Sequence, residues 1–396
     1  MTPLLPALSP EQLYPLNSVY MARTRLPEVS MLGYTPLQLD TATSMLMGLL
    51  NGYATVRHAA GSGSEILGLF ASAGIAVNEQ IHTYSTETQA IDCAQALVER
   101  GHKLFWPYPL PTSLYPESAH LVALELYRRL NAKQHMSDLV PPEHLANQQS
   151  LSQEALTSFT STQPVCLKAG GSAATGWGYA VFPCRNSDEI NAARQWFADH
   201  QENVPVVLAE QWLDIDCSWC VGLAIGENET LCFGGAEQLF ASPCKQVGSI
   251  IDPNRAMPPE VESLAVQVGE KARKQGFRGV AGLDIGLASN GRIVLFDPIF
   301  RIASSTAQLL FYPGAAARAG LQVSHSIQLT PSGSFSDIER KLSGPIADGW
   351  FIPTRLFNGQ KHPLSEGKHI VTGFVLGKDR ASAIEAIEYI RGDFQD

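Results

Sequence analysis

Two aspartates, Asp284 and Asp297, lie on opposite sides of an Asn-Gly dipeptide in the segment GVAGLDIGLASNGRIVLFDPIFR. Runs rich in Val, Ile, Leu and Phe flank Asn290-Gly291, and this dipeptide favours positive φ at both central positions of a two-residue hairpin loop. In such a hairpin Ser289 faces Arg292, and paired residues have numbers that add to 581. The spacing therefore predicts that Asp284 lies directly opposite Asp297.

Two facing carboxylates need a positive charge between them. Side chains opposite each other in an antiparallel pair lie about 4.5 to 5.5 Å apart at Cβ, where like charges are destabilising. Hard oxygen ligands on a rigid hairpin, with Arg301 four residues after Asp297, suit Mg²⁺ that carries substrate phosphates. The alternative is a surface hairpin with two solvated aspartates, and the hairpin alone leaves both interpretations open.

The period of two along a strand assigns the other hairpin residues to faces. Ile299 and Arg301 are predicted to continue the acidic face beyond Pro298. The opposite face is apolar and suited to pack on a core. Its residues are Leu283, Ile285, Leu287, Val294 and Phe296.

A second segment with chemical potential is VCLKAGGSAATGWGYAVF, residues 165–182, which is predicted to form a strand, a small-residue loop and a second strand. Lys168 ends the first strand. The loop contains Gly171, Ser172 and Gly176, and its main-chain N–H groups could fold over a polyphosphate. It is not a Walker A loop, because no Gly-Lys-Ser/Thr follows and no helix begins there. A flexible hairpin tip is the alternative.

The elements around these two segments alternate between helix and strand. The pattern predicts a helix after Gly63, another that opens at Thr86 with a capping box, and short strands between them, which is typical of a small α/β unit with a mostly parallel sheet. A long helical stretch over residues 117–139 carries Lys133. A strand, VPVVLAEQWL, then ends at Glu210, Gln211, Trp212 and Leu213, where main chain could pair with an adenine edge.

Composition excludes several classes of protein. The 396 residues, 45% hydrophobic and 17% charged, are typical of a soluble globular protein of two or three domains. The net charge of -10, without a basic run, argues against nucleic-acid binding. No apolar run is long enough for a membrane span, and the N-terminus lacks the positive region of a signal peptide. The seven scattered cysteines favour a reducing, cytoplasmic location, and the Cys217/Cys220 pair is predicted to be two small strand residues rather than a redox or zinc site.

Taken together, these segments resemble the ATP-grasp ligases over residues 118–308. The resemblance implies an α/β (α+β) protein in which an ATP-grasp fold follows a small Rossmann-like pre-ATP-grasp domain. The expected divisions are residues 1–116 for the pre-ATP-grasp domain, 117–208 for the N-terminal ATP-grasp lobe and 209–396 for the C-terminal lobe.

The resemblance also implies roles for individual residues. Lys133 and Lys168 match the two lysines that hold the α and β phosphates, and Asp284, in a G-x-D setting, and Asp297 match the carboxylates that hold Mg²⁺, or Mn²⁺ in its place. Arg301 matches the arginine at the transferred phosphate and the substrate carboxylate, so that Arg301 and Lys168 are the expected catalytic residues. The nucleotide-binding residues implied are Lys133, Lys168, Gly171, Ser172, Gly176, Glu210, Gln211, Trp212, Leu213 and Asp216, with Asp214 as the alternative to Asp216 at the ribose.

One metal position departs from the family pattern E-x-N-x-R. Ile299 stands where the asparagine that helps to bind a second Mg²⁺ is usual, and Asp297 is shorter than the usual glutamate. Either one metal is held less tightly, or another group supplies the ligand, or the chain binds nucleotide without turnover.

The implied reaction is phosphoryl transfer from ATP to a substrate carboxylate, followed by attack of an amine on the acylphosphate to form an amide, with release of ADP and phosphate. An amino acid or small dicarboxylate and an amine are the expected substrates. Glu237, Gln238 and Lys245 are weaker candidates for holding them. The alternatives are a degenerate ATP-grasp sensor and a carboxylate-thiol ligase. Many ATP-grasp enzymes are dimers, so the resemblance allows a homodimer, although no interface can be read from the sequence.

Overall fold

The first sheet of the protein consists of four short parallel strands. The structure is a computed structural model that describes residues 2–29, 31–108, 110–171, 174–175 and 179–394. The sheet order is β4-β3-β1-β5, and its two central strands, β1 and β3, are completely buried, as parallel strands covered on both faces must be. The elements of this part are α1 (Pro10–Leu13), β1 (Ser18–Met21), β2 (Met31–Leu32), α2 (Pro36–Ala42), β3 (Ala54–His58), α3 (Ser64–Ser72), β4 (Gln80–Tyr84), α4 (Glu87–Glu99) and β5 (Lys103–Phe105).

Two helices of this part begin where the sequence predicts. Gly63 is the N-cap of α3, and the Thr86 side chain accepts a hydrogen bond from Gln89 N at the start of α4. The Gln89 side chain, however, accepts from Ser85 N rather than from Thr86 N, so that the reciprocal half of the predicted capping box is displaced by one residue.

A smaller antiparallel sheet follows, in the order β6-β10-β7-β9. The single helix predicted over residues 117–139 is wrong in extent, because the α-helix ends at Asn131 and a 3₁₀-helix, Lys133–Asp138, follows a residue in extended conformation, Ala132. The elements are α5 (Leu124–Asn131), β6 (Gln148–Ser152), α6 (Gln153–Thr157), β7 (Val165–Ala169), β8 (Ala174–Thr175), β9 (Val181–Cys184), α7 (Ser187–Asp199) and β10 (Val206–Gln211).

The largest sheet has eight strands in the order β15-β14-β11-β12-β13-β16-β18-β17. All of its pairings are antiparallel. The elements are β11 (Ile215–Ile225), β12 (Thr230–Ser242), β13 (Lys245–Ile251), α8 (Pro259–Lys274), β14 (Gly279–Ala288), β15 (Ile293–Ile299), α9 (Thr306–Ala319), β16 (Val323–Leu329), α10 (Phe335–Ala347), β17 (Phe351–Phe357), β18 (Ile370–Gly377) and α11 (Arg380–Asp393).

The three sheets do not share hydrophobic cores in the order in which they follow one another along the chain. The first and third sheets share two clusters, in which Tyr20 and Phe105 pack with Phe351 and Leu356, and Val19 and Leu104 pack in the same cluster as Leu283. The small sheet has its own core around Leu167, Phe197 and Val207. The small sheet is therefore a separate packing unit that lies over a larger body made of the other two sheets.

One further pairing joins the N-terminal part to the small sheet region. Strand β2 runs parallel to β8, with Met31 opposite Ala174 and Leu32 opposite Thr175. This contact holds the loop after Lys168 against the N-terminal part of the chain. No helix among the described residues is long and apolar enough to cross a bilayer.

Candidate active site

Asp284 and Asp297 face each other across β14 and β15, as the sequence predicts. The predicted two-residue loop is nevertheless wrong. Ala288 N bonds to Arg292 O at 2.8 Å, Gly291 N bonds to Ala288 O at 2.8 Å, and Gly291 has φ +83°. These bonds define a three-residue loop, Ser289 to Gly291, with only its last residue at positive φ.

A β-bulge brings the two carboxylates back into register. Near the turn Leu287 pairs with Ile293 and Ile285 with Leu295, and the register shifts by one residue between Asp284 and Ile285. Phe296 is the extra residue of β15, and its carbonyl accepts a hydrogen bond from Lys168 Nζ at 3.2 Å. The bulge thus both aligns the acidic pair and presents a main-chain acceptor to the lysine of another sheet.

The same bulge corrects the predicted apolar face. Leu283 and Ile285 lie in the core as expected, but Leu295 rather than Val294 or Phe296 joins them there. Val294 is opposite Gly286 and Phe296 packs against that glycine on the other side of the sheet. Between the loop and the bulge, the register differs by one residue from the predicted one. This explains the change, because a one-residue shift moves each side chain of that part of β15 to the opposite face.

The acidic pair has an unsatisfied negative charge. Asp284 Oδ1 is buried and has no hydrogen-bond partner among the described residues. Burial, followed by the charge of Asp297, raises the pKa of Asp284 to about 7. Burial also acts on Asp297, but Lys133 and then Arg301 outweigh it and hold the pKa of that carboxyl below its usual range. A buried carboxylate oxygen without a donor beside a second carboxylate is the donor set that a hard divalent cation requires.

The two predicted lysines, Lys133 and Lys168, come from different elements and lie near the pair of aspartates. Lys133 Nζ lies 2.8 Å from Asp297 Oδ1 and Lys168 Nζ lies 2.6 Å from Glu210 Oε2. Lys133 is the first residue of the 3₁₀-helix rather than part of a continuous helix, and the neighbouring Gln134 N donates to Gly170 O at 3.0 Å. Burial lowers the pKa of Lys168, but Glu210 and other anionic neighbours outweigh it and raise that pKa overall.

The predicted adenine segment lies at the end of β10. Glu210 is opposite Cys166 on β7, on the face that also carries Lys168. Gln211 is exposed, Trp212 and Leu213 are half-buried, and the Arg185 guanidinium lies 5.6 Å from the centre of the Trp212 ring. Asp214 and Asp216 are both exposed, and Asp216 is the unpaired residue where the register of β11 against β14 shifts. Residues 210–216 thus connect the face of the small sheet that carries Lys168 to β11 of the large sheet.

The small-residue loop is described only in part. Gly171 follows β7, and its α-carbon has open space around it, while Ala174 and Thr175 form β8. Ser172 and Gly176 lie outside the described residues. The tip of the β12 and β13 hairpin reaches the small sheet, where the Cys244 and Cys166 thiols are hydrogen-bonded to each other. All seven cysteines are unpaired.

Arg301 lies just beyond the end of β15, held by Asn131. Arg301 Nη1 donates to Asn131 Oδ1 at 3.0 Å, and the same oxygen accepts from Phe300 N at 3.0 Å. Asp297 lies close enough to help raise the pKa of Arg301, although burial opposes that shift most strongly. Ile299 pairs with Gly282 and offers no ligand atom. No local pattern indicates a role for Asn131, because its contact with Arg301 spans 170 positions.

Gln238 is the one weak candidate that the structure places beside the acidic pair. Its side chain is hydrogen-bonded to Asp284, and its Oε1 accepts from Ser218 Oγ at 3.0 Å. Glu237 points instead to Arg380 and to Arg255, which lies 3.6 Å away. Lys245 is exposed at the hairpin end. The tyrosines near Arg301, which are Tyr34, Tyr108 and Tyr127, were missed because each follows an unremarkable local pattern.

A parallel α/β unit, a small antiparallel lobe over a large antiparallel sheet, and a carboxylate pair between two lysines define an ATP-grasp protein. The comparisons agree. Residues 9–128 match the L-aspartate--L-methionine ligase N-terminal domain, and residues 142–298 match the ATP-grasp domain of the same ligase, so the two matches cover more than two thirds of the chain. The chain belongs to the carboxylate-amine ligases of the ATP-grasp superfamily, and it is an ATP-dependent ligase that forms amide bonds between amino-acid substrates through an acylphosphate.

Solved structures show the same fold. The ADP complex of an N5-carboxyaminoimidazole ribonucleotide synthetase is 14% identical with a TM-score of 0.61, over 100% of this chain and 99% of that one. The enzyme from Aspergillus clavatus with ADP and 5-aminoimidazole ribonucleotide is 16% identical with a TM-score of 0.57, over 87% and 99%. Biotin carboxylase from Campylobacter jejuni is 12% identical with a TM-score of 0.56, over 95% and 91%. The predicted fold class is confirmed.

Proposed function

We propose that this ligase joins L-aspartate to L-methionine with ATP as the phosphoryl donor and Mg²⁺, or Mn²⁺, as the metal. The matches to both domains of L-aspartate--L-methionine ligase support the two substrates. One carboxylate of aspartate is the phosphoryl acceptor. The amine of methionine then attacks the acyl carbon to form the C–N bond, the bond between the acyl carbon and the phosphate oxygen breaks, and the phosphate and one amine proton are released.

The charged residues divide the task by position. Asp284 and Asp297 hold the metal, which when bound neutralises charge on the phosphate oxygens. Gln238 orients Asp284 through the hydrogen bond between their side chains. Since phosphoryl transfer depends on positioning and on neutralisation of charge more than on covalent help from the protein, these fixed groups provide what the step needs.

The lysines and Arg301 complete the positioning. In the structure Lys133 forms an ion pair with Asp297 and Lys168 forms one with Glu210. When ATP binds, both lysines leave these partners and hold the nucleotide phosphates. Arg301, held by Asn131, binds the reacting carboxylate and stabilises negative charge on the acylphosphate and on the tetrahedral oxyanion. Gly171, with Ser172 and Gly176, covers the phosphates. Glu210 to Leu213 bind adenine, and Asp216 binds the ribose.

The small sheet and its loop act as a cover in this proposal. The small sheet has a core of its own, so it can move as a unit and exclude water from the acylphosphate. We propose residues 1–116 as the base, residues 117–208 as the cover and residues 209–396 as the catalytic platform, with β10 (Val206–Gln211) crossing the boundary between the last two. The unpaired cysteines fit a reducing cytoplasm, and light scattering checks whether the protein is a homodimer.

The observation that carries the proposal is the donorless carboxylate oxygen of Asp284 opposite Asp297, with both lysines beside the pair. The test is to incubate the protein with ATP, Mg²⁺ and all pairs of amino acids, and to measure ADP and the mass of the product. We expect one ADP for each aspartyl-methionine formed. ADP release without an amide product, or no ADP with any pair, would contradict the proposal.

A substitution tests the metal pair directly. Asp284→Asn removes the charge but keeps the shape, and we expect turnover to fall at least about 100-fold, the loss associated with a single electrostatic stabilising group. Asp92→Asn, on the exposed face of α4, is the matched control and should retain full activity. Retained activity in Asp284→Asn, with an unchanged Mg²⁺ requirement, would place the metal elsewhere.

A further inference from the structure

Residues 31–34 belong to the N-terminal part of the chain but contact the small sheet. Strand β2 (Met31–Leu32) pairs with β8, which follows β7 of the small sheet, and Leu32 lies opposite Thr175. The Leu32 side chain is 5% exposed and packs in the core of the small sheet. The other buried residues of that core all lie between positions 151 and 209. We call residues 31–34 the strap.

A second contact with the small sheet lies one residue further along the strap. Gly33 has φ +75°, and a Cβ built on it would lie 3.2 Å from the ring of Tyr179. Any side chain at this position would therefore crowd the ring, and it would also have to adopt a φ that L-residues rarely take. Tyr179 in turn packs edge-on against Trp196 of α7, with ring centres 5.7 Å apart. A buried leucine and an aromatic ring thus attach the strap to the small sheet.

Both ends of the strap are held by the N-terminal part. Before it, Arg25 Nη1 lies 3.1 Å from Glu28 Oε1, and Arg25 Nε lies 3.3 Å from Glu87 Oε1 at the start of α4. After it, Thr35 is the N-cap of α2, and its side chain accepts a hydrogen bond from Gln38 N. Because the small sheet has a core of its own, the strap is a connection through which the N-terminal part restrains that sheet.

The last residue of the strap lies on the side of the cleft that holds Arg301. The ring of Tyr34 packs edge-on against that of Tyr108, with ring centres 4.9 Å apart. The carbonyl of the residue before Tyr108 accepts a hydrogen bond from the Tyr127 hydroxyl at 3.1 Å. Tyr127 lies one helical turn before Asn131 on α5, and Asn131 accepts from Arg301 Nη1 at 3.0 Å. The strap therefore extends from the small sheet to the wall that supports Arg301.

We propose that Leu32 is a positioning residue that keeps the small sheet closed over the acylphosphate. The inference rests on the proposed function. When the small sheet opens, the oxygen of water can bond to the acyl carbon. The bond between that carbon and the phosphate oxygen then breaks, phosphate leaves, a proton is released and the acid is regenerated. The net reaction is hydrolysis of ATP to ADP and phosphate without an amide. The strap favours the closed arrangement, in which the amine attacks and water is excluded.

The test measures ADP that forms without amide. ADP and aspartyl-methionine are quantified with ATP, Mg²⁺ and both amino acids, and ADP is measured again with methionine omitted. Removal of three carbons from a buried side chain shifts an equilibrium by about 10- to 100-fold. We expect one ADP for each amide in the wild type. Leu32→Ala should raise the rate of ADP release without methionine by that factor, and should form more than one ADP for each amide.

A matched control separates the strap from the stability of the small sheet. Leu156→Ala removes the same atoms from the same core, at a residue of α6 that is 2% exposed. It should lower stability but keep one ADP for each amide. Leu32→Met keeps most of the buried volume and should behave like the wild type. Gly33→Ala changes an exposed residue and should raise ADP release in the same way as Leu32→Ala, even if Leu32→Ala does not fold.

The outcomes distinguish the strap from the proposed function. One ADP for each amide in both Leu32→Ala and Gly33→Ala would overturn the role of the strap alone. An equal excess of ADP in Leu156→Ala would also overturn it, because instability of the small sheet would then be the cause. A wild type that forms no amide would overturn the proposed function.

Discussion

At the scale of single residues, Asp284 has an unfavourable electrostatic environment that a bound ligand would relieve. Its carboxylate lies opposite Asp297, and one of its oxygens has no donor among the described residues. Neighbouring Lys133 forms its ion pair with Asp297 rather than with Asp284. The asymmetry keeps one aspartate charged and leaves the other dependent on a proton or a cation.

This asymmetry predicts a pH dependence for the metal-free protein. The pKa of Asp284 is raised to about 7 in the folded state, against about 3.9 when unfolded. The folded state therefore binds the proton more tightly, so the stability contributed by this group is fully present below about pH 4, declines as the pH rises and is lost as the pH passes through 7. Asp284→Asn should therefore unfold at a higher temperature than the wild type at pH 8, and its free energy of unfolding should be higher by about 4 kcal/mol, as a pKa difference of about three units implies.

Thermal unfolding with and without EDTA measures that difference. The two proteins should converge below about pH 4, where Asp284 is protonated in both the folded and the unfolded state. Mg²⁺ with an ATP analogue should stabilise the wild type at pH 8 and should have much less effect on Asp284→Asn. A constant difference between the proteins from pH 5 to pH 8 would show that Asp284 does not titrate in this range.

At the scale of elements, the hairpin of β14 and β15 depends on one glycine in its loop. Gly291 has φ +83°, and a Cβ built there meets no atom within 4 Å. Gly291→Ala should therefore destabilise through backbone strain alone, by about 1 kcal/mol. Chemical denaturation measures this loss, and turnover should fall because the carboxylates are aligned by the register that the loop begins.

Gly68 is a matched control, at which the same substitution should have the opposite effect on stability. Gly68 lies in the interior of α3, is exposed, has negative φ and also has open space at its Cβ. Gly68→Ala should stabilise by about 0.5 to 1 kcal/mol, because alanine loses less backbone entropy in a helix. If both substitutions changed stability in the same direction, the positive φ of Gly291 would not be the cause.

At the scale of the whole molecule, local sequence patterns predicted the helices and strands better than the contacts between distant parts of the chain. A hairpin that brings Asp284 opposite Asp297 was predictable from the residues around Asn290-Gly291, although its loop has three residues rather than two and a bulge restores the register. The bulge at Phe296 was not, since it is stabilised by Lys168 from another sheet. Asn131, which holds Arg301, and Tyr34 and Tyr108, which lie near it, also come from distant parts of the chain. The local sequence around each gives no sign of that contact.

The attachment of the first sheet to the large sheet is a connection of this distant kind, and it centres on Asp40. Arg23 Nε lies 2.8 Å from Asp40 Oδ1, the Tyr84 hydroxyl donates to the same oxygen at 2.6 Å, and His362 Nε2 lies 3.1 Å from Oδ2. His362 follows β17, whereas the other partners belong to the N-terminal part. Asp40 therefore links the segment after β17 of the large sheet to the N-terminal part of the chain.

Asp40→Ala should destabilise the protein by about 3 kcal/mol, since it leaves Arg23 buried without its closest anionic partner. Because the two sheets share a core, calorimetry should show a lower transition temperature for both of them together. Glu388→Ala, which removes the exposed partner of Arg391 at 3.1 Å, should change stability by less than about 1 kcal/mol. A loss in Asp40→Ala no larger than that of the control would mean that Asp40 does not join the sheets, and that core packing alone sets the geometry of the substrate cleft.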